Sequence, residues 1–162
     1  MTKKTYLSRL ADAAEKLFAG RSIEQYGAIC HRLSQGQKNV EILLITSRDS
    51  GRWVIPKGWP MDRKLPHQVA EREAWEEAGV RGKARKKRFG YYTYLKVLDT
   101  GETVPSIVQV HLLEVAGLDE RFPERGERQL QWFSPNEAAA HVREPELKSL
   151  LRMLETTLTP DK

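Results

Sequence analysis

The sequence is short of cysteine, for Cys30 stands alone among 162 residues. A single thiol cannot close an internal disulfide, and no cysteine cluster is present to hold zinc. Long apolar runs are missing as well. The longest are a handful of residues, as at Ile42–Ile45, where a transmembrane helix needs about 20. The opening MTKKTYLSRL puts charges where a secretory leader needs a continuous apolar stretch, so the expected address is cytoplasmic, with no membrane partner. Internal repeats, low-complexity stretches and a dividing linker are absent, and the length suits one domain. The four histidines, His31, His67, His111 and His141, show no ligand spacing and read as structural or surface residues.

Acidic residues are outnumbered, with 22 Asp and Glu against 27 Lys and Arg and a formal net charge of +5. That excess favours anionic partners: phosphate-rich small molecules, nucleic acid or an anionic surface. Composition does not choose among them. With 40% hydrophobic and 30% charged residues, the chain has the balance of a folded protein rather than a disordered one.

Periodicity gives the elements. Leu7, Leu10, Ala14, Leu17 and Phe18 recur at helical spacing in Lys4–Ala19, before Gly20. Packing of this helix against the domain is favoured over a membrane surface. Tyr26–Leu33, Val40–Ser47 and the short Trp53–Pro56 read as strands, and Pro56, Gly58 and Pro60 impose a loop. Pro66–Ala78 reads as a helix ended by Gly79. Lys87–Leu98 and Ser106–Val115 alternate as strands around a turn at Asp99–Glu102, and a loop at Gly117–Gly126 precedes a short strand, Gln129–Phe133. Ser134 is placed to cap a helix over Pro135–Val142. A leucine stripe marks the last helix, Pro145–Leu158. Strands and helices mix without strict alternation, so the class is α/β or α+β with a mixed sheet between helices.

One helix carries an unusual charge pattern. Glu73, Glu76 and Glu77 share an arc of about 100° on its surface, while Trp75 points away from them. Like charges four residues apart repel, and Arg72 can pair with only one of the three. A divalent cation would neutralise them, and clustered oxygen donors suit Mg²⁺ or Mn²⁺. Read alone, the string could equally be an acidic, solvated helix face. The preceding loop favours a site, because Gly58 lets the backbone approach a ligand and a main-chain carbonyl there could complete a metal shell.

These residues resemble the Nudix hydrolases, whose pattern is G-x5-E-x7-R-E-U-x-E-E-x-G-U with U bulky and apolar. Gly58, Arg72, Glu73, Ala74, Glu76, Glu77, Gly79 and Val80 fall at the required spacing. The segments around Arg48, Trp53–Gly58 and Gln131–Phe133 resemble the diphosphoinositol polyphosphate and diadenosine polyphosphate phosphohydrolase branch. The pattern departs at Lys64, which replaces the first Glu, and at Ala74, which is small for its position. Lys64 would reverse a charge near the metal, or else meet a substrate phosphate or solvent.

The resemblance implies an α/β/α sandwich, a central mixed β-sheet between helices, over residues 23–158. Residues 1–22 would form a helical extension and 159–162 a tail. It implies Mg²⁺, with Mn²⁺ as an alternative, held by Glu73, Glu77, Glu76 and the Lys57 main-chain carbonyl. Glu76 would be the base for the attacking water and Arg72 would orient the cluster, although the base varies within the family. Arg48, Lys57, Gly58, Lys96 and Arg128 are the candidate substrate contacts. The expected substrate is a small anionic polyphosphate, a diadenosine polyphosphate or a diphosphoinositol polyphosphate, cleaved at a phosphoanhydride by a monomer or homodimer. Two alternatives stay open. One is hydrolysis of another X-linked nucleoside diphosphate, such as a sugar nucleotide or an oxidised nucleotide. The other is an inactive module binding RNA or phosphate through the basic run Arg81, Lys83, Arg85, Lys86, Lys87 and Arg88, with Phe89, Tyr91, Tyr92 and Tyr94 following it.

Overall fold

Alternation along two neighbouring strands sets the architecture. In β1 (Ile23–Leu33), Ala28 and Cys30 enter one core while Ile29 enters another. In β2 (Val40–Thr46), Leu43 and Ile45 join the first core and Val40, Ile42 and Leu44 the second. A sheet with both faces apolar must be covered on both sides. The computed structural model, which describes residues 5–18, 22–34, 36 and 38–158, shows how.

The sheet runs in the order β3 (Trp53–Val54), β2, β1, β7 (Thr103–Leu118), β5 (Val80–Ala84). Three further strands join it: β4 (Lys57–Gly58) on β1, β6 (Gly90–Val97) on β7, and β8 (Leu130–Phe133) on β2. The β1–β7 pairing is parallel and the other ladders are antiparallel, so the sheet is mixed. Helix α2 (Pro66–Ala78) covers the Ala28–Cys30 face through Ala70, Ala74 and Ala78. Helices α3 (Pro135–His141) and α4 (Pro145–Thr157) cover the other, where Leu147, Leu150, Leu151 and Leu154 are buried. Ser134 caps α3 as expected, its hydroxyl accepting from the Glu137 N–H at 3.2 Å.

Four expectations change. The 56–60 loop contains β4, whose Lys57 and Gly58 pair with Gly27 and Tyr26. Strand β5 falls inside the basic run and was not expected as a strand, because only Val80 and Ala84 of its five residues are buried apolar ones. The strand expected from Lys87 begins at Gly90. Strand β7 starts at Thr103, ahead of Pro105. Pro105 pairs with Leu95 of β6, while pairing with β1 begins only at Ser106, so the proline sits where β7 is an edge on its β1 side.

The first helix, α1 (Tyr6–Phe18), is present. The expected bounds Lys4 and Ala19, the stop at Gly20 and the side chains of Leu17 and Phe18 lie outside the described residues. Within them Leu7 is 76% exposed, so the expected apolar stripe is only partly covered. Leu10 and Ala14 line a cavity described below.

Candidate active site

Helix α2 is held at both ends. Pro66 fixes its first turn, and the Gln68 side chain accepts from the Leu65 N–H at 2.8 Å. Gly79 ends it in the left-handed region with φ 70°, where an added Cβ would lie 2.5 Å from Phe122. Alanines recur every fourth residue along the inner face, and such small side chains let the helix lie close on the sheet. Ala74 is fully buried in that stripe, which accounts for its small size.

Close packing brings Glu73 and Glu77 against β4. A Cβ added to Gly58 would sit 2.1 Å from the carboxyl carbon of Glu73, so any larger residue there would displace that carboxylate. Glu77 is 6% exposed. Burial pushes its carboxyl up to about 8, against the attraction of Arg128 and Lys57. Burial raises Glu73 as well, opposed by the hydrogen bond it accepts from Glu77 and reinforced by the charges of Glu76 and Glu124. Both carboxyls are thus biased towards the protonated form by burial.

Glu76 turns aside. Its Oε1 accepts from Arg72 Nε at 2.7 Å, and the same guanidinium lies 4.7 Å from the Trp75 ring centroid. Trp75 faces away from Glu73 and Glu77 as expected, donating from Nε1 to Asp119 at 3.0 Å. Lys64 also falls on this outer side, in a groove with Arg72, Trp75 and Arg81. The expected charge reversal beside the carboxylate pair is therefore corrected: the lysine is exposed and shares the opposite face of α2.

Arg128 reaches the carboxylates. Its Nη2 lies 2.9 Å from Glu124 and 3.8 Å from Glu77, and Nη1 donates to the Thr46 carbonyl at 3.0 Å. Its buried Nε has no hydrogen-bond partner among the described residues. Arg48 is exposed and pairs with Glu124 at 3.4 Å and Glu127 at 3.5 Å, outside the cavity lining. Glu124, which links Arg48 to Arg128, escaped sequence reasoning. Its main-chain N–H donates to the Glu76 carbonyl at 3.0 Å, tying this loop to α2. The available signal was its spacing of four from Arg128, in a stretch without helical periodicity.

Beside this cluster lies a cavity of about 600 Å³. Lys57 and Lys96, two of the candidate substrate contacts, line it, and Arg9, Arg52 and Arg143 add positive charge that the sequence did not single out. Burial pushes the Lys57 ammonium below its usual range, with the charge of Glu77 opposing that shift. Its Nζ lies 4.9 Å from the Tyr94 ring centroid, while Lys96 Nζ lies 5.6 Å from that of Trp59. The residues Arg81, Lys83 and Arg85–Arg88 are exposed on and after β5. Of the following aromatics Tyr92 is buried and Phe89 and Tyr94 pack on the core, whereas Tyr91 is 44% exposed.

Among the described residues no three His, Cys, Asp or Glu side chains converge as a finished metal cage. The buried Glu77 and half-buried Glu73, beside a cavity of about 600 Å³, are nonetheless a donor set that suits Mg²⁺, since it usually keeps several waters and uses one or two carboxylates plus substrate phosphate.

The family model of the NUDIX domain matches residues 25–154. Nudix hydrolase 12, mitochondrial, of Arabidopsis thaliana is 30% identical over 123 residues, covering 72% of this chain and 61% of its own. Human diphosphoinositol polyphosphate phosphohydrolase 3-alpha is 29% identical over 113 residues, covering 68% of this chain and 63% of its own. The chain thus spans about three fifths of the length of these two relatives. A crystal structure of C. elegans Ap4A hydrolase shares the fold, with a TM-score of 0.60 and 20% identity over 85% of this chain and 99% of that one.

Proposed function

The chain belongs to the Nudix family, and from that premise we propose that it hydrolyses a phosphoanhydride bond in a polyphosphate-linked substrate, a diadenosine polyphosphate or a diphosphoinositol polyphosphate, with Mg²⁺ or Mn²⁺. The observation that carries this reading is the pair formed by the buried Glu77 and the half-buried Glu73, the latter packed on Gly58, both with carboxyls pushed up by burial. Such a pair is costly unless a cation joins it.

Glu73, Glu77 and the Lys57 main-chain carbonyl hold the ion. When bound, it supplies neutralisation of charge on the phosphate oxygens. Glu76 accepts the proton of the attacking water, and Arg72 orients that carboxylate through the 2.7 Å contact. Water oxygen bonds to phosphorus as the bridging oxygen departs with its electron pair, giving two phosphate-bearing products. Gly58 leaves the backbone open, and Lys57, Lys96, Arg128 and Arg48 attract the phosphates. No described helix is long and apolar enough to cross a membrane, and the proposal keeps a cytoplasmic monomer or homodimer.

The test is release of phosphate or nucleotide from both substrate types with Mg²⁺ and Mn²⁺, products resolved by chromatography. Turnover that needs the ion and is lost in Glu77→Gln supports the proposal. Equal turnover by that variant and the wild type overturns it.

A further inference from the structure

The cavity that favours anions also contains a buried acid with a spare oxygen. Glu144, at the start of α4, is 7% exposed. Its Oε1 accepts from Arg52 Nη1 at 3.0 Å, while its Oε2 is buried without a hydrogen-bond partner among the described residues. Both Glu144 and Arg52 line the cavity, together with Arg9, Lys57, Lys96 and Arg143. Glu146 lines it too, but its Oε1 is already engaged by the Thr93 N–H at 3.0 Å.

Phosphate oxygens are acceptors only, so they gain from the cations and lose at Glu144. A buried carboxylate oxygen needs a donor, and a donor not supplied by the chain must come from solvent or ligand. A ligand that displaces a solvent donor without replacing its hydrogen bond loses affinity. Glu144 therefore does nothing for a phosphate chain and discriminates at the part of the ligand that carries N–H or O–H groups.

We propose that Glu144 is a specificity-determining residue, its Oε2 accepting a hydrogen bond from an N–H or O–H donor on the non-phosphate portion of the substrate. Arg52 is its positioning residue, holding the other carboxylate oxygen and fixing the carboxylate plane. The proposal rests on the hydrolase reading for the word substrate, but the recognition itself is a binding property and is tested without turnover.

The probes are ATP and inorganic tripolyphosphate, which share a triphosphate and differ by a nucleoside rich in donors. Binding is measured by calorimetry with Mg²⁺ in a Glu76→Gln background, which removes the proposed base and leaves the cavity lining intact. Adding Glu144→Gln turns the Oε2 position into a donor and removes a negative charge. We expect the Kd for ATP to rise about tenfold while that for tripolyphosphate stays level or falls. Glu144→Asp, which keeps the charge but retracts the oxygen, is expected to weaken ATP and leave tripolyphosphate unchanged. Thermal melting of each variant checks that the fold persists, and the ratio of the two affinities cancels any general loss. Parallel changes for both ligands, no change for either, or failure of ATP to bind overturn the proposal. Failure of the hydrolase reading shows separately, as binding without turnover in the wild type.

Discussion

Helices α2 and α4 have thirteen residues each and cover opposite faces of one sheet. Helix α4 does so in the ordinary way, with four leucines buried in a large apolar cluster. Helix α2 buries alanines, Val69 and the acid Glu77. Fully burying a leucine is worth about 1.5–3 kcal/mol, whereas an alanine offers much less and a buried carboxyl costs free energy. One helix therefore stabilises the sheet, and the other gives up stability to place carboxyl oxygens against a glycine. Ionisable groups with shifted pKa values cluster where a ligand joins them.

The sharpest way to break this comparison is to exchange charge for shape on α2. Glu77→Gln is expected to reduce metal-dependent turnover about 1,000-fold, equivalent to about 4 kcal/mol. Its effect on the metal-free fold should stay within about 1 kcal/mol, because a carboxyl pushed up to about 8 is already uncharged at neutral pH. Mg²⁺ should raise the melting temperature of the wild type by binding the native state, and leave the variant unmoved. A destabilised metal-free variant would mean that Glu77 supports the fold as a leucine does.

The mirror experiment is on α4. Leu151 is fully buried, so Leu151→Ala should cost about 2–5 kcal/mol in urea unfolding while turnover per folded molecule is kept. Smaller again is Gly58→Ala. The added methyl meets the Glu73 carboxyl, and a displacement of about 1 Å at a reacting site can lower kcat up to about 100-fold. The melting temperature should change little, since the glutamate can swing away. Unchanged kcat in this variant would detach Glu73 from catalysis.

These two helices also show how much the sequence made legible. Both were readable from periodicity to within a residue, and the glutamate spacing pointed to one surface of α2 because helical geometry converts spacing into direction. Strand β5 was hidden because its exposed residues are a basic run, a pattern that charge explains as well as alternation does. Glu124 and Glu144 were hidden for another reason. Glu124 belongs to a loop that folds back on α2, and Glu144 meets Arg52 from 92 positions away in the chain. Neither proximity leaves a periodic trace. Lys64 meets the same limit, since a residue before the first helical turn has no spacing rule to choose between the metal side and the solvent it takes.

The smallest effect should separate the two faces by pH. His111 on β7 lies with its ring 6.3 Å from that of His67 in the first turn of α2. Its Nδ1 donates to the Arg85 carbonyl at 2.7 Å, which leaves Nε2 to accept from the Gln109 side-chain amide at 2.8 Å. Burial pushes its pKa below 6.5, with the Arg85 carbonyl opposing and His67 assisting. A histidine held neutral in the fold contributes stability above its unfolded pKa, and that contribution is lost as pH falls from about 6.5 through the folded value. Protonation would also set two donors against each other at Gln109. Unfolding free energy should therefore drop by up to about 1 kcal/mol between pH 7.5 and 5.5, and part of that drop should vanish in His111→Gln. Hydrogen exchange should place the acid-induced loosening on the α2 side of the sheet, where the buried ring sits against the first turn. Loosening confined to α4, or a pH response unaltered in the variant, would show that His111 does not couple α2 to the sheet.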